Sequence, residues 1–489
     1  MAFSSVIFLF FFLPFALAVY FFPWNRWQNG TLVLLSLAFY AWGGHEQVLV
    51  LCVSIAFNTL AALALARAGR NASVGRAALS KKAILVFGIA FNLGLLVFYK
   101  YAGFIAQNLD HLPAWPSSGK IALQDLQAPL GISFFTFHAL SYLIDVYRAD
   151  AAAETNPLRP ALYLSFFPKM LAGPIIQFKD AQKQLGPRRV LPERFNSGIE
   201  RFVIGLAKKV LIANPLASAA DRIFGIPAPD LTFQLSWLGI ACFSLQILFD
   251  FSGYTDMAIG LGRMFGFELP ENFNYPYISQ SIQEFWRRWH ISLSSWFRDY
   301  LYIPLGGNRC SKTRQYFNLT AVFLLCGLWH GASWNFIVWG LWYGLFLVLE
   351  RAGLGAVLKS AGRPLCHLYA LAVIVLGWVF FRSESLSYAL GYFKAMLGFQ
   401  SGTALRYFPS LYLDNEVVLC LIVGVLMCFP WPGKLKDSVL QASLVAGSNS
   451  RAFSMGISSA YILVLGALFL LSCMALAGGT QKSFIYFKF

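Results

Sequence analysis

Long apolar runs separated by short basic loops constrain this chain more than any other feature. Runs such as 3–22, 47–66 and 83–105 contain about 20 residues each, enough for a helix to cross about 30 Å of hydrocarbon. Hydrophobic residues make up 58% of the chain and its mean hydropathy is +0.60, which excludes an ordinary soluble protein. We therefore predict an all-α, polytopic integral membrane protein in which residues 1–489 form a single domain.

The chain length leaves room for about 11 to 13 transmembrane helices, together with re-entrant or interfacial helices. The predicted spans are 3–22, 31–42, 47–66, 83–105, 129–147, 202–220, 233–249, two within 317–350, 366–381, 416–430 and 457–477. Residues 160–176 are apolar but contain Pro168, Lys169 and Pro174, so a re-entrant or interfacial segment is expected there. The segment 386–398 is ambiguous.

The net charge of +16 raises the question of a nucleic-acid partner. The excess Lys and Arg residues lie in short loops between apolar runs, where the positive-inside rule explains them, so no nucleic acid is expected. The same rule places the loop 67–82 and the region 271–309 in the cytoplasm, and the near-neutral loop 106–128 outside. Counting the spans backwards puts the N-terminus outside as well.

The cysteines and histidines show no pattern typical of a metal site. The eight cysteines are scattered without a CxxC pair, which indicates small packing residues rather than ligands or disulfides. His290 and His330 have neither HxxxH nor Cys/His spacing, so no bound metal is expected. His138 stands alone beside aromatic residues and is expected to be packed and hydrogen-bonded.

The region Glu271–Arg309 concentrates charged residues in an otherwise apolar chain. On a continuous helix over 284–299, aromatic side chains share one face, charged side chains share the opposite face, and His290 lies at the aromatic edge. The charged residues are Glu284, Arg287, Arg288, Arg298 and Asp299. Each central Arg or Asp costs about 2.5 to 3.5 kcal/mol in hydrocarbon, so we expect this helix in the membrane interface or in a protein-lined cavity.

Two aspartates at the end of a predicted span, Asp250 and Asp256, need partners because a carboxylate is costly at membrane depth. We expect one of them to pair with an arginine of the 287–298 group. Lys208 and Lys209 stand near the start of another span and are expected to extend their ammonium groups to the cytoplasmic interface.

Three long motifs in the second half of the chain carry a family likeness. They are FDFSGYTDMAIGLG at 249–262, ENFNYPYISQSIQEFWRRWHISLSSWFRDYLYIPLGGNR at 271–309 and GLWHGASWNFIVWG at 327–340. Together they resemble the membrane-bound O-acyltransferase family, and most closely its bacterial branch, which acetylates exopolysaccharides such as alginate. The likeness extends from Phe3 to residues 484–487, and it implies the helical fold and the O-acyltransferase activity of that family.

His330 is the strongest catalytic candidate. Transfer of an acetyl group from a thioester to a hydroxyl needs a base near neutrality, and histidine suits that role. From the residues alone, His330 beside Trp329 and between Gly327 and Gly331 is either that base or a structural hydrogen-bonder, with backbone groups free to meet a ligand. The resemblance implies that it is the family's catalytic histidine. It also makes His290 the second active-site position, which orients the acyl carbonyl or the acceptor.

Further residues are expected to support catalysis or to bind substrate, namely Trp289, Trp329, Arg287, Arg288 and Asn335. Basic side chains that suit coenzyme A phosphates are Arg287, Arg288, Arg298, Arg309, Lys312 and Arg314, although the positive-inside rule also accounts for them. No cofactor is expected to stay bound. Acetyl-CoA is the expected donor substrate.

The resemblance implies an enzyme of the bacterial inner membrane that passes acetyl groups from the cytoplasm across the membrane. Its implied partners are periplasmic acetyltransferases, the polysaccharide synthesis and export complex, and membrane lipids. Two alternatives remain open: acetylation of cellulose or another surface glycan, and non-enzymatic transport of polysaccharide or acyl carriers. The lack of an internal repeat in the sequence disfavours a transporter.

Overall fold

The computed structural model describes residues 2–22, 27–68, 74–110, 127–400, 402, 406–431, 450–479 and 484. Across these residues the chain is all-α, as predicted, with a single isolated bridge between Phe273 and Trp289. Parts of three sequence predictions lie outside the described residues. They are most of the outer loop (111–126), part of the basic loop (69–73) and the end of the C-terminal motif (485–487).

The helices of the described residues follow the apolar runs. In the first half of the chain they are α1 (Leu13–Tyr20), α2 (Gln28–Ala41), α3 (Gln47–Ala68), α4 (Val74–Leu96), α5 (Ala102–Leu109), α6 (Ile132–Arg148), α7 (Leu158–Ser165), α8 (Phe167–Met170), α9 (Phe178–Ala181), α10 (Pro192–Ala207), α11 (Asn214–Phe224) and α12 (Phe233–Met264). The second half contains α13 (Ile282–Arg288), α14 (Ile291–Phe297), α15 (Lys312–His330), α16 (Trp334–Leu349), α17 (Gly355–Ala361), α18 (Arg363–Arg382), α19 (Leu386–Met396), α20 (Asn415–Met427) and α21 (Ser450–Ala477). Short π-helical turns at Phe8–Phe12, Val97–Tyr101, Lys208–Ala213, Arg298–Tyr302 and Glu350–Leu354 extend or join them.

Within the described part of the chain, seven helical segments are long and apolar enough to cross a membrane. They are Gln47–Ala68, Leu79–Leu109, Pro192–Phe224, Phe233–Met264, Trp334–Ala361, Arg363–Arg382 and Ser459–Ala477. Phe8–Tyr20 and Asn415–Met427 are apolar but shorter. Helices α2, α6 and α15, which the sequence analysis predicted as spans, are not among the seven segments. The chain is therefore a multi-pass membrane protein. The ambiguous segment 386–398 forms α19, whose length of about 16 Å is too short for a span.

The segment 160–176 is not a span, as predicted. Helix α7 stops at Phe166, which has non-helical backbone angles (φ −51°, ψ 108°), and α8 continues for only four residues. The following residues 171–176 are irregular but buried inside the protein. His138 on α6 is fully buried and packs edge-on against Tyr163 of α7, with ring centroids 5.4 Å apart, which confirms its packed position. The expected hydrogen bond is not found, because neither ring nitrogen has a partner among the described residues.

Helices α10 and α12 cross at two pairs of glycines. A Cβ atom on Gly205 would lie 2.6 Å from the carbonyl oxygen of Gly253, and a Cβ atom on Gly253 would lie 2.7 Å from that of Gly205. Gly198 and Gly260 meet in the same reciprocal way, at 2.7 and 2.6 Å. Small residues at such crossings let two helix backbones approach closely, which is how helices associate in lipid.

This close crossing decides the partners of the two buried aspartates. Lys209 pairs with Asp250 at 2.7 Å, while Lys208 and Arg201 both pair with Asp256 at 2.7 Å. The predicted pairing with an arginine of the 287–298 group is therefore wrong. The prediction that both lysines extend to the interface is wrong for Lys209, because its π-helical turn lies directly against α12 and its ammonium group meets Asp250 inside the protein. For Lys208, whose side chain is 24% exposed, it stays a prediction. The carboxylates of α12 lie 2.7 Å from the ammonium groups of the two lysines, and the Lys209 side chain is only 5% exposed.

Hydrogen bonds between distant segments agree with the predicted sidedness. On the side predicted to face the cytoplasm, Arg148 bonds the carbonyl of Asp299 at 3.2 Å, and Arg351 bonds the Tyr302 hydroxyl at 3.0 Å. On the side predicted to face outside, the indole of Trp334 donates to the Asn108 side chain at 3.0 Å. Segments assigned to the same side thus meet in the fold.

Candidate active site

His330 is positioned by the helical hairpin of α15 and α16, in which the two helices pack closely against each other at glycine residues. A Cβ atom on Gly327 would lie 2.2 Å from the Phe336 carbonyl oxygen, and one on Gly340 would lie 2.3 Å from the Phe323 carbonyl oxygen. Gly331 has an extended backbone (φ −167°) and ends α15 directly after His330. A side chain at Gly331 would collide with the Phe336 ring at 2.1 Å. The predicted helix break at this histidine is therefore confirmed.

The imidazole of His330 lies in an aromatic cage and is only 5% exposed. Its ring centroid is 4.9 Å from Trp329, 4.9 Å from Trp339 and 5.3 Å from Phe381, in edge-on arrangements. Such packing fixes the ring plane and keeps bulk water away from a base.

The continuous helix predicted over 284–299 does not form. Helix α13 ends at Arg288, Trp289 is extended, and His290 has a left-handed backbone (φ 45°, ψ 53°) before α14 begins. The cause is an extended segment at 272–274 that pairs across the break. Asn274 N–H donates to the Arg288 carbonyl at 2.9 Å, and Ile291 N–H donates to the Asn272 carbonyl at 3.0 Å.

The break turns His290 into the protein, where it is fully buried against Phe251 at 4.7 Å between ring centroids. His290 thus lies in the protein interior, whereas Arg287 and Arg298 of the same region are exposed. A left-handed conformation is costly for a residue with a side chain and persists only where neighbouring contacts impose it.

Asn272 fixes the tautomer of His290. Its side-chain oxygen accepts the Ser292 N–H at 3.0 Å and the Ser292 hydroxyl at 2.9 Å, and the backbone donor identifies that atom as an oxygen. The same oxygen lies 3.2 Å from His290 Nδ1, which must therefore carry the proton. In the neutral ring, Nε2 is then the nitrogen that accepts a proton or a hydrogen bond.

Trp329 joins the two histidines. Its indole centroid is 6.1 Å from that of His290 and 4.9 Å from that of His330. On another side it stacks on Phe137 at 5.4 Å, and Phe137 in turn stacks on Trp296 at 3.9 Å. The Trp329 indole N–H is buried and has no acceptor among the described residues. The group therefore combines two imidazoles with an indole donor, and the Trp339 indole N–H in the cage around His330 likewise has no acceptor among the described residues.

Two cavities lie beside this group, one lined by Trp329 and His330 and the other by Ile291 and Ser292, which directly follow His290. The first, called the outer cavity, has a volume of about 540 Å³ and is lined by His330, Trp329, Lys100 and Ser133, with the segment 128–132 at its mouth. The second, called the inner cavity, has a volume of about 540 Å³ and is lined by Gln177, Lys179, Ser292, Arg298 and Asp299, among others. The two cavities have no lining residue in common.

The irregular segment 171–176 runs from the wall of the outer cavity to the wall of the inner cavity. Leu171 lines the outer cavity and Ile175 lines the inner one, and four residues of chain cover at most about 14 Å. Ile175 N–H donates to the Ser292 hydroxyl at 2.9 Å, which ties this segment to the residues that follow His290. The cavities therefore approach each other closely inside the protein.

Three acidic residues line the inner cavity, Asp180, Glu268 and Asp299, and Asp299 is the one held by hydrogen bonds within the site. Burial alone raises the pKa of Asp299, but hydrogen bonds from Arg298 and Gln177, both at 2.7 Å, outweigh it and hold the pKa below its usual range. The carboxylate therefore stays ionised near neutrality and anchors Gln177 at the cavity wall.

Comparison with known proteins decides the family. Residues 118–389 match the sequence model of the membrane-bound O-acyltransferase family. The chain is 44% identical to the probable alginate O-acetylase AlgI of Pseudomonas aeruginosa over 400 residues, which cover 82% of this chain and 75% of that protein. The chain belongs to the membrane-bound O-acyltransferase family.

Two further relatives match this O-acyltransferase along its full length. The probable alginate O-acetylase AlgI of Azotobacter vinelandii is 38% identical, and all of both chains is covered. The peptidoglycan O-acetyltransferase of Helicobacter pylori is 36% identical, with 100% of this chain and 97% of that protein covered. The chain is thus an enzyme that transfers acyl groups, and its relatives place it among systems that modify polysaccharides.

The other predicted site residues lie outside the cage around His330. Trp289 packs on Phe273 and Trp378 at 5.0 and 4.9 Å, within the aromatic core. Asn335 donates to the Ser383 carbonyl at 2.5 Å and so ties α16 to the end of α18.

The arginines of α13 lie on a different face of that helix from its buried aromatic residues. Arg288 pairs with Glu284 at 2.9 Å, and Arg287 is exposed. Of the basic residues considered for coenzyme A, Arg298 lines the inner cavity, whereas Arg309, Lys312 and Arg314 are exposed. Within the described residues, no group of three His, Cys, Asp or Glu side chains is arranged to hold a metal ion.

Sequence reasoning missed three residues of this O-acyltransferase site. Asn272 orients His290, while Lys100 and Tyr101 contact the backbone at His330. The backbone groups expected to be free for a ligand at His330 are therefore already bound. A lysine inside an apolar run is rare enough to have marked Lys100, but nothing in the sequence indicates which residues it meets.

Proposed function

We propose that this O-acyltransferase takes an acetyl group from acetyl-CoA in the cytoplasm and passes it across the membrane for O-acetylation of a cell-surface polysaccharide. One observation carries the proposal: the outer cavity is lined by Trp329 and His330, and a separate inner cavity is lined by Ile291 and Ser292, which directly follow His290. The inner cavity is lined by Lys179 and Arg298 as well as by three acidic residues, and Arg298 belongs to the region 271–309, which its basic charge assigns to the cytoplasm. The outer cavity opens beside residues 128–131, next to the loop assigned to the outside.

In the proposed reaction, His330 removes the proton of the acceptor hydroxyl, whose oxygen attacks the thioester carbonyl. A C–O bond forms, the C–S bond breaks, and the departing thiolate takes the proton from His330. The Trp329 indole N–H is the donor available to the oxyanion that develops on the carbonyl. His290, with its proton on Nδ1, offers Nε2 only as an acceptor, so it suits a second hydroxyl group of the acceptor, which it would orient, rather than the carbonyl oxygen.

The names of the relatives support an exopolysaccharide such as alginate as the acceptor. We place the enzyme in the bacterial inner membrane, together with periplasmic acetyltransferases that complete the transfer and with the polysaccharide synthesis and export complex. A polymer made at this membrane meets the outer cavity without crossing back into the cytoplasm.

The test is a His330→Ala variant, with His367→Ala as the matched control. His367 lies on α18 and contacts the Ser279 carbonyl at 3.2 Å, away from both cavities. Acetyl ester per sugar and total secreted polysaccharide are measured in producing cells. Loss of the base should lower ester formation by about 10² to 10⁴-fold, while polymer export and membrane protein level stay at the parental values.

The outcome separates the enzyme from a transporter. Unchanged ester per sugar with reduced export in His330→Ala would reject acetyl transfer. Membranes of the producing cells, supplied with radiolabelled acetyl-CoA, test the donor directly. Label must enter the polymer in parental membranes and must be absent in the His330→Ala membranes.

Peptidoglycan is a second candidate acceptor. The relative from Helicobacter pylori, named as a peptidoglycan O-acetyltransferase, matches the whole of this chain. Acetyl esters are therefore measured in purified peptidoglycan as well as in secreted polymer. Esters that disappear only from the peptidoglycan of His330→Ala cells would assign the enzyme to that polymer.

A further inference from the structure

The C-terminal end of α15 is held by residues from another helix. The last four carbonyls of an α-helix have no partner within the helix. Here, the Gly327 carbonyl accepts the Gly331 N–H at 3.4 Å, and the Leu328 carbonyl accepts the Tyr101 hydroxyl at 2.5 Å. The carbonyls of Trp329 and His330 both accept from Lys100 Nζ, at 2.7 and 3.1 Å. All four carbonyls are therefore satisfied, three of them by Lys100 and Tyr101.

Lys100 is well matched to this position electrostatically. The C-terminal end of a helix carries a partial negative charge, and a cation placed there is stabilising. A lysine within the apolar segment Leu79–Leu109 costs several kcal/mol unless it finds such a partner. Lys100 and Tyr101 belong to a π-helical turn, Val97–Tyr101, a local irregularity that is common at functional sites.

We infer that Lys100 is a positioning residue for acyl transfer, which acts on His330 through the backbone of residues 329 and 330. This inference rests on the proposed function of His330 as the base. Lys100 lines the outer cavity beside His330, and Tyr101 assists it at the preceding carbonyl. Together they set where the last turn of α15 stops, and thus where the imidazole and the Trp329 indole stand.

The geometry favours positioning over direct contact with a substrate. An ammonium group has three N–H donors. Those of Lys100 face the Trp329 and His330 carbonyls and, at 3.5 Å, the Ser133 hydroxyl. The ammonium is thus committed to oxygens of the protein, and its position depends on the end of α15.

The test compares Lys100→Met, Lys100→Arg and Tyr101→Phe, with Lys394→Met as the matched control. Lys394 is exposed on α19, away from His330. Membranes that contain the partner proteins are assayed for transfer from radiolabelled acetyl-CoA to polymer over a range of donor concentrations. Lys100→Met should lower kcat by about 10- to 100-fold and leave the KM for acetyl-CoA within about twofold, since misplacement affects the reacting groups and not the donor site.

Rescue by the conservative variant separates positioning from simple stability. Lys100→Arg keeps the charge and the donors and should recover most of the activity, and Tyr101→Phe should lose only about 2- to 10-fold. Equal loss in Lys100→Met and Lys100→Arg, in parallel with loss of protein from the membrane, would reduce Lys100 to a folding role and overturn the inference.

Hydrogen–deuterium exchange supplies a readout independent of activity. In purified Lys100→Met protein, the peptide that covers residues 326–333 should exchange faster than in the parent, while α18 peptides should not change. If the parent is active and the Lys100→Met variant is equally active, only the role of Lys100 is rejected. A parent that transfers no acetyl group from acetyl-CoA rejects the proposed function and this role with it.

Discussion

At the scale of single residues, the Trp329 indole N–H is a buried donor on a ring that contacts both histidines. It is buried, and it has no acceptor among the described residues. Leaving such a donor unsatisfied costs about 1 to 3 kcal/mol. Natural proteins accept that cost mainly where the group has a task, and here the indole lies between two imidazoles at the outer cavity.

We therefore predict that Trp329→Phe lowers kcat by about 10- to 100-fold with little change in protein yield. Phenylalanine keeps the aromatic contacts with Phe137 and His330 but removes the only polar atom of the side chain, so stabilisation of the oxyanion is lost. Trp342→Phe is the control, because its N–H donates to the Val373 carbonyl at 3.0 Å outside the site. Parental turnover in Trp329→Phe would remove the indole N–H from the mechanism.

At the scale of elements, pairs of helices that cross at glycines hold the site. Van der Waals contact is the main force between helices in lipid, because lipid chains are as apolar as the helix surfaces. The α15–α16 crossing at Gly327 and Gly340 orients His330, and the α10–α12 crossing at Gly205 and Gly253 brings lysines to the aspartates of α12. Both crossings leave no space for a methyl group.

Gly253→Ala should destabilise the protein by about 1 to 3 kcal/mol, because the added Cβ would lie 2.7 Å from a backbone carbonyl. Thermal unfolding in detergent and the yield of membrane protein are the measurements. Gly466→Ala on α21 is the matched control, since a Cβ atom there meets nothing within 4 Å. Equal melting temperatures for the two variants would contradict tight packing at this crossing.

At the scale of the whole molecule, the arrangement of charge and cavities gives the protein two different faces. The inner cavity is lined by residues of the region predicted to face the cytoplasm, and the outer cavity lies beside the loop predicted to face outside. The two histidines and Trp329 lie where the two cavities approach each other. Because an α-helix rises about 1.5 Å per residue, His330 lies about 27 Å along the axis of α15 from Lys312, the first residue of that helix.

Cysteine labelling tests the sidedness. Single cysteines placed at Ala78 in the basic loop and at Ser117, which lies outside the described residues, should react from opposite faces of intact cells. Ala78 is expected to face the cytoplasm and Ser117 the outside. Labelling of both positions by the same membrane-impermeant reagent, without permeabilisation, would contradict the predicted topology.

Patterns within about 20 residues determined much of this protein from the sequence. Apolar runs predicted an all-α membrane protein, because backbone groups in hydrocarbon must be satisfied within each helix. Gly331 predicted the end of α15 at His330, because the cause of the break lies in the adjacent residues. The pairing of Arg288 with Glu284 was predictable for the same reason, since residues four apart meet on a helix.

Contacts between distant residues were decided only by the tertiary structure. The break at His290 depends on pairing with residues 272–274, which no helical periodicity reveals. Lys209 meets Asp250 because glycines bring two helices together, and Lys100 caps a helix 229 residues further along the chain. The sequence shows that each of these polar groups needs a partner in an apolar protein, but which partner it finds depends on how the helices pack.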